Sequence, residues 1–250
     1  LAPGAAVMSW RGEAGGIEAA EAEHYVVMSP NAEMYFDHYQ ADPENEPLAI
    51  GGYTTIESVY DYEPIPENLE EEYHSYVMGA QANVWTEYMK TSDHVEYMVY
   101  PRAVALAETV WTRPENKDWE KFQSKLTHQF KLLDARAVNY HIAAPKGLKQ
   151  GLTLSNEIEI SLSSPYESAQ IYYTTDGTEP TASSTLYEQP FTLNIANEEI
   201  IVKAVTITES GQRSAVVEGS YQQASVKPVE SPLTLNPGLT ATLIEGNFNE

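Results

Sequence analysis

The segment from Trp85 to Glu87 places an indole and a carboxylate close together, just after the apolar run from Tyr76 to Met78 and the small residues Gly79 and Ala80. Such side chains at the end of a strand resemble the ligand-binding edge of a (β/α) barrel. A carboxylate there can accept strong hydrogen bonds from a ligand. The alternative is a core tryptophan beside a solvated glutamate, and this segment alone leaves both interpretations open.

Two upstream segments repeat the arrangement. An apolar run from Ala5 to Ser9 is followed by Trp10, and a second run from Val26 to Ser29 leads into a loop that contains Tyr35 and Asp37. Short strands that are apolar throughout are typical of a parallel sheet covered by helices. The pattern therefore predicts successive βα units.

Helical patterns accompany these strands, and they span Ile17 to Glu23, Ile56 to Tyr62, Tyr97 to Trp111 and about Lys117 to Val138. The third predicted helix has Pro101 near its start and an apolar face formed by Val104, Ala107, Val110 and Trp111. In the fourth, spacings of three and four residues predict one buried stripe of Trp119, Phe122, Leu126, Phe130, Leu133 and Ala137.

The period changes from helical to alternating after a predicted linker at residues 143–147. The run from Ile158 to Leu162 alternates strictly, and Asp176-Gly177 predicts a hairpin turn. Further short strands are predicted at residues 171–175, 191–193, 200–205 and 215–217, which together indicate a small antiparallel β-sandwich. Prolines at positions 228, 232 and 237 predict a second linker before a further module.

Composition excludes several classes of function. The 250 residues carry 14 basic and 37 acidic side chains, a net charge of −23, so binding to a phosphate backbone is not expected. The chain contains no cysteine and no long apolar run, so we predict no disulfide, thiolate metal site or membrane span. Four histidines lack metal-ligand spacing, namely His24, His38, His74 and His94. No metal and no cofactor are predicted, and the acidic surface suits a neutral or cationic partner, such as a sugar.

In their order along the chain, several segments resemble the family 20 glycoside hydrolases, the β-N-acetylhexosaminidases. They are Val7–Gly12 with Gly15 and Gly16, His24–Pro30, Tyr35–Asp37, Gly79–Glu87 and Tyr100–Glu108. The segment Ile171–Thr181 resembles the C-terminal β-domain that often accompanies these enzymes. The resemblance implies an α/β plus all-β architecture, with the last three βα units of a TIM (β/α)8 barrel in residues 1–145, an Ig/fibronectin-like β-sandwich in 150–224, and a linker and further module in 225–250.

The family resemblance also implies roles for individual residues. Its members use substrate-assisted retaining catalysis, in which the acetamido oxygen of the sugar attacks its own anomeric carbon. Tyr35 matches the tyrosine that orients this oxygen, and Asp37 and Glu87 match carboxylates that bind sugar hydroxyls. Trp10 and Trp85 match indole walls of the acetamido pocket. Arg11 and Arg102 are expected to form structural pairs.

The family's catalytic Asp-Glu pair belongs to a His-x-Gly-Gly-Asp-Glu motif, which does not occur in these 250 residues. We therefore expect a piece of a longer, exo-acting β-N-acetylhexosaminidase that acts on N-acetylhexosaminide glycans and is inactive by itself. A secreted, periplasmic or cell-surface location is expected, with a homodimer or a larger protein covering the open barrel edge. The alternatives are a non-catalytic carbohydrate-binding or interaction module, in which the β-domain is the working part, and a pseudoenzyme.

Overall fold

The computed structural model describes residues 1–166, 169–196 and 198–225. A three-stranded parallel sheet consists of β1 (Val7–Ser9), β2 (Val26–Met28) and β3 (Val77–Ala80), in that spatial order. The register shifts by one residue where β2 meets β3, so that Val27 lies opposite Gly79. Because all pairs are parallel, the carboxyl ends of the strands lie at one edge of the sheet.

Helices pack around this sheet. They are α1 (Ala14–Glu21), α2 (Asn31–Met34), α3 (Ile56–Asp61), α4 (Ser92–Val99), α5 (Arg102–Trp111) and α6 (Trp119–Asp134), and short 3₁₀ turns lie at Pro43–Asn45, Glu71–Tyr76 and Pro114–Asn116. Helix α1 approaches the strands closely at Gly16, where a Cβ atom would lie 2.5 Å from Sδ of Met28. This position therefore admits only glycine without a shift of the methionine.

The single helix predicted from Tyr97 to Trp111 is wrong, because α4 ends at Val99 and α5 begins at Arg102. Pro101 separates them, since proline disfavours helical backbone at the preceding residue. The predicted apolar face of α5 is also wrong. Its buried residues are Arg102, Ala105 and Thr109, and Trp111 is 88% exposed.

Polar contacts explain this difference. Thr109 Oγ1 donates to the carbonyl oxygens of Val59 and Tyr60 in α3, at 2.9 and 3.1 Å. Helix α5 therefore docks on α3 through a buried hydroxyl, which the hydrophobic pattern of the sequence does not indicate.

The buried stripe predicted for α6 is confirmed at Phe122, Leu126, Phe130 and Leu133. The helix begins after Asp118, whose side chain accepts a hydrogen bond from the Lys121 amide. It ends before Ala137, which is exposed and has a φ of 53°. The predicted helix was therefore too long at its C-terminal end.

The second part of the chain is a two-sheet β-domain. Its strands are β4 (Gly151–Thr153), β5 (Glu157–Ile160), β6 (Gln170–Thr174), β7 (Thr185–Leu186), β8 (Phe191–Asn194), β9 (Ile200–Ile207) and β10 (Val217–Gln223). One sheet has the order β4-β10-β9-β6-β7 and the other pairs β5 with β8. All pairs are antiparallel except β4 with β10. The predicted linker and module at 226–250 lie outside the described residues.

The β-domain docks on α6. The ring of Phe130 stacks on Tyr140 with centroids 4.8 Å apart and meets Tyr166 edge-on at 5.1 Å. The predicted linker is itself tied to the β-domain, because the amide of Lys146 donates to the carbonyl of Ser163 and the amide of Ser163 to that of Lys146. Ring packing and main-chain hydrogen bonds therefore join the barrel segment to the β-domain.

Candidate functional site

The five predicted site residues follow the strands of the parallel sheet. Trp10 comes directly after β1, Tyr35 and Asp37 follow β2 and α2, and Trp85 and Glu87 follow β3. Because the strands are parallel, their carboxyl ends share one edge of the sheet. The sequence therefore brings all five segments to one side of the structure, where (β/α) enzymes form their sites.

A polar network lies beneath this edge. The hydroxyl of Ser29 donates to the carbonyl of Gln81 at 2.8 Å, and Nδ2 of Asn83 donates to the same hydroxyl at 2.8 Å. Nε2 of Gln81 in turn donates to Oδ1 of Asn83 at 3.0 Å. Ser29 and Asn83 are buried, so the network is fixed from below. Its residues lie inside the matched sequence segments but were not predicted as site residues.

The main chain joins the loops that follow β2 and β3. The amide of Asn83 donates to the carbonyl of Met34 at 2.7 Å, and the amide of Phe36 donates to the carbonyl of Asn83 at 2.8 Å. Tyr35 lies between these two bonds. It is therefore held beside the segment that leads to Trp85.

Asp37 is a buried carboxylate, with only 6% of its surface exposed. Burial raises its pKa, and the negative charge of Glu87 raises it further. The pKa is lowered in part by the backbone amides of Asp37 and Trp85 and by His38. The Trp85 amide and the Glu87 carboxylate therefore lie near the carboxylate of Asp37. Oδ1 of Asp37 accepts no hydrogen bond from the part of the chain that the structure describes. It can accept one from a ligand hydroxyl.

His38 supports the same loop. Its Nδ1 lies 3.0 Å from Oγ1 of Thr54, and that hydroxyl donates to the carbonyl of Ala32 at 2.9 Å. Because the single hydroxyl hydrogen is directed to Ala32, Nδ1 of His38 is the donor to Thr54. Burial lowers the pKa of His38, against the attraction of Asp37. The ring also contacts that of Tyr35, with centroids 5.7 Å apart.

Arg102 is fully buried and holds the main chain around Asp37. Nη2 donates to the carbonyl of Phe36 at 2.6 Å, and Nη1 donates to those of His38 and Thr54 at 3.2 and 2.8 Å. Burial lowers the pKa of Arg102, although Glu46 and Asp37 oppose this. Arg102 therefore has a structural role, and its partners are main-chain carbonyl oxygens.

The two predicted tryptophans are both about half exposed, at 45% for Trp10 and 51% for Trp85, so neither belongs to the core. The guanidinium of Arg11 lies over the Trp10 ring, 4.7 Å from its centroid. The carbonyl of Trp10 accepts a hydrogen bond from the Asn31 amide at the start of α2. Within the described residues, no hydrogen bond or ring contact joins Trp10 to the other four site residues.

Comparison with known proteins agrees with this arrangement. Residues 1–114 match the family model described as glycosyl hydrolase family 20, catalytic domain. Residues 148–218 match that of the chitobiase/beta-hexosaminidase C-terminal domain. A beta-hexosaminidase of Porphyromonas gingivalis is 43% identical over 252 residues, which cover 99% of this chain and 32% of that protein. Residues 1–114 are therefore similar to the catalytic domain of glycosyl hydrolase family 20.

Two further proteins are similar to this chain. A beta-N-acetylhexosaminidase of Cellulomonas fimi is 33% identical over 153 residues, covering 58% of this chain and 30% of that protein. The solved family 20 exo-beta-N-acetylglucosaminidase of Vibrio harveyi, in complex with N-acetylglucosamine, is 29% identical with a TM-score of 0.48, covering 54% of this chain and 22% of that one. The chain spans about a third of the length of the curated relatives it matches.

The family match and the order of the elements confirm the predicted architecture, in which the last βα units of a barrel precede a β-domain. The roles of the five site residues and the domain boundaries stay predictions. Within the described ranges, no group of three or more His, Cys, Asp or Glu side chains could hold a metal ion. In the same ranges no helix is long and apolar enough to cross a membrane.

Proposed function

We propose that this chain forms the sugar-binding wall of an exo-acting β-N-acetylhexosaminidase, which removes terminal N-acetylglucosamine or N-acetylgalactosamine from glycans. One observation carries the proposal. The carboxylate of Asp37 is buried, the Trp85 amide and the Glu87 carboxylate lie near enough to shift its pKa, and its Oδ1 accepts no hydrogen bond from the described chain. A sugar hydroxyl would satisfy that oxygen, because a buried unpaired acceptor costs free energy.

In this proposal the carboxylates of Asp37 and Glu87 bind hydroxyls of the non-reducing sugar. The hydroxyl of Tyr35 donates to the acetamido oxygen, which holds that oxygen in position to attack the anomeric carbon and stabilises the charge that develops. The half-exposed indoles of Trp10 and Trp85 pack on the acetamido methyl group and the C–H face of the ring. Substrate-assisted retention is one of the exceptions to the two-carboxylate scheme of glycosidases.

The leaving oxygen would be protonated by a glutamate that stands beside the aspartate orienting the acetamido group. The motif that carries this pair does not occur in the 250 residues. We therefore expect this chain alone to bind the sugar without cleaving it. Turnover of a chromogenic N-acetylglucosaminide above background, abolished by Glu87→Ala, would overturn that expectation.

Isothermal titration of the chain with N-acetylglucosamine tests the binding role. Asp37→Asn removes one charged acceptor at the site, and we expect about tenfold weaker binding. Glu188→Gln, an equivalent change at an exposed β-domain position, is the matched control and should leave binding unchanged. Equal affinities for Asp37→Asn and Glu188→Gln would contradict the proposal.

A binding or interaction module is the second candidate function, because the catalytic motif does not occur in these 250 residues. In that case the β-domain would supply the affinity. Retention of residues 150–225 on immobilised chitin oligosaccharides would favour the module. Retention of the full chain that Asp37→Asn leaves unchanged would favour it as well. Binding that depends on Asp37 would favour the hexosaminidase site.

We also propose a secreted, periplasmic or cell-surface location, and a homodimer that covers the open sheet. Met8 on β1 and Met78 on β3 are 44% and 58% exposed, and such apolar surface favours association. Light scattering of the chain should give twice the monomer mass. A monomer at every concentration would exclude the dimer.

A further inference from the structure

A cavity lies where the barrel segment meets the β-domain. Its volume is about 460 Å³, within the range of small-molecule sites. Its lining includes Gln40, Tyr53 and Ile56 from one side, His141 from the segment after α6, and Tyr166 from the β-domain. None of the five proposed sugar contacts is among the described residues that line it. The cavity is therefore separate from the site at the ends of the strands.

The polar groups at the base of the cavity are paired with one another. The carboxylate of Glu46 accepts hydrogen bonds from the hydroxyl of Tyr97, at 3.0 and 3.1 Å, and lies 3.1 Å from Nε2 of His141. The side chains of Glu46 and His141 are only 1% and 8% exposed. The carboxylate of Glu46 is therefore held in a fixed position at the floor of the cavity.

Gln40 is only partly paired. Its Nε2 donates to the carbonyl of Tyr97 at 2.9 Å, and this bond fixes which end of the amide is the oxygen. The residue is only 6% exposed, and its Oε1 accepts no hydrogen bond from the described part of the chain. A buried amide oxygen without a donor costs free energy. A ligand that donates a hydrogen bond in the cavity would remove that cost.

The remaining surface restricts the chemistry of such a ligand. Tyr53 is 59% exposed at the cavity, and Ile56 and Pro145 provide further apolar surface. The carboxylates of Asp42 and Glu57 disfavour an anion, and Lys146 is already paired with Glu57 at 3.5 Å. An aromatic face beside a buried acceptor suits a pyranose ring, which has an apolar C–H face and donates from its hydroxyls.

We propose that this cavity is a second carbohydrate site, which binds a neutral pyranose with a hydroxyl donating to Oε1 of Gln40 and the C–H face on Tyr53. It goes beyond the proposed function, because binding here needs no acetamido group. A suitable probe is therefore methyl β-D-glucopyranoside, which lacks that group.

The test is a titration of the full 250-residue chain with this probe, followed by amide chemical shifts in NMR spectra. We expect saturable shifts in residues 40–57 and 141–146, and binding about tenfold weaker in Tyr53→Ala because the stacking surface is lost. Tyr25→Ala is the matched control, since Tyr25 is 54% exposed and does not line the cavity. Gln40→Met should weaken binding to a similar extent, and its thermal unfolding is measured to establish that it folds.

The outcomes distinguish this site from the first. Asp37→Asn should leave binding of the glucoside unchanged while it weakens binding of N-acetylglucosamine, so the two proposals can fail separately. The second site is overturned if the glucoside moves no amide in residues 40–57 and 141–146, or if Tyr53→Ala binds it as tightly as Tyr25→Ala does. Binding of protonated glucosamine without binding of the neutral glucoside would also overturn the second site, because the cavity would then select a cation.

Discussion

Arg102 holds Asp37 in place without contacting its carboxylate, because the guanidinium donates to the carbonyl oxygens of the residues on either side of it, Phe36 and His38. The bonds are 2.6 and 3.2 Å long, and the arginine is completely buried. The orientation of the proposed sugar-binding carboxylate therefore depends on a cation in helix α5.

Replacement of this cation by Arg102→Lys should destabilise the chain. A compact ammonium cannot reach all the carbonyls that the planar guanidinium reaches, and buried acceptors would be left unpaired. We expect a loss of about 2–4 kcal/mol in the free energy of unfolding, measured in urea. Arg213→Lys is the control, because Arg213 is exposed and donates to the carbonyl of Pro180. Equal losses in the two variants would contradict the role assigned to Arg102.

Asp37 should make stability fall as pH rises. Burial raises its pKa above the ordinary value of 3.8, so between the two values the folded chain binds the proton more tightly than the unfolded chain does. This contribution is present below pH 3.8 and is lost as pH rises through the raised pKa. Asp37→Asn should remove this dependence from unfolding curves measured against pH. An unchanged pH profile would show that the carboxyl is not desolvated.

His38 should have the opposite effect. Its pKa lies below the ordinary 6.5, so the unfolded chain binds the proton more readily and stability is lost as pH falls below that value.

The hydrogen bonds of Thr54 can be tested separately, because Thr54→Val removes the hydroxyl that joins His38 to Ala32. We expect a loss of about 1–3 kcal/mol in unfolding free energy. Thr54→Ser keeps the hydroxyl and should lose much less; the same loss in both would rule out the hydrogen bonds as the cause.

Gly52 leaves room for the ring of His38. A Cβ atom at this position would lie 2.5 Å from Cγ and Nδ1 of His38, and the residue has a φ of +68°. Gly177 has a similar φ of +75°, but its Cβ would meet only an ordinary contact at 3.8 Å. Gly177→Ala should therefore cost about 1 kcal/mol from the backbone alone. Gly52→Ala should cost at least about 1 kcal/mol more, because the ring must move. Calorimetry of both variants measures this difference, and equal costs would show that the ring moves freely.

The sequence by itself determined the three parallel strands, the buried stripe of α6 and the order of the candidate site. Short apolar runs predict β1, β2 and β3, because a strand covered on both faces must be apolar throughout. The stripe of α6 is correct because its period is that of a helix with one buried face. Trp10, Asp37 and Glu87 follow the strands in the sequence, so the parallel sheet alone places their segments at one edge.

Only the tertiary structure decided how deep these residues lie and what fixes them. Arg102 bonds to Phe36 across 66 positions, and Asn83 bonds to Ser29 across 54. Neither bond has a local signature, because a hydrogen bond between two distant segments leaves no spacing pattern in the sequence. For the same reason the buried face of α5 was predicted wrongly, since the hydrophobic pattern takes no account of a buried guanidinium or hydroxyl. Periodicity records which side chains avoid water, whereas the partners of buried polar groups are set when distant segments meet.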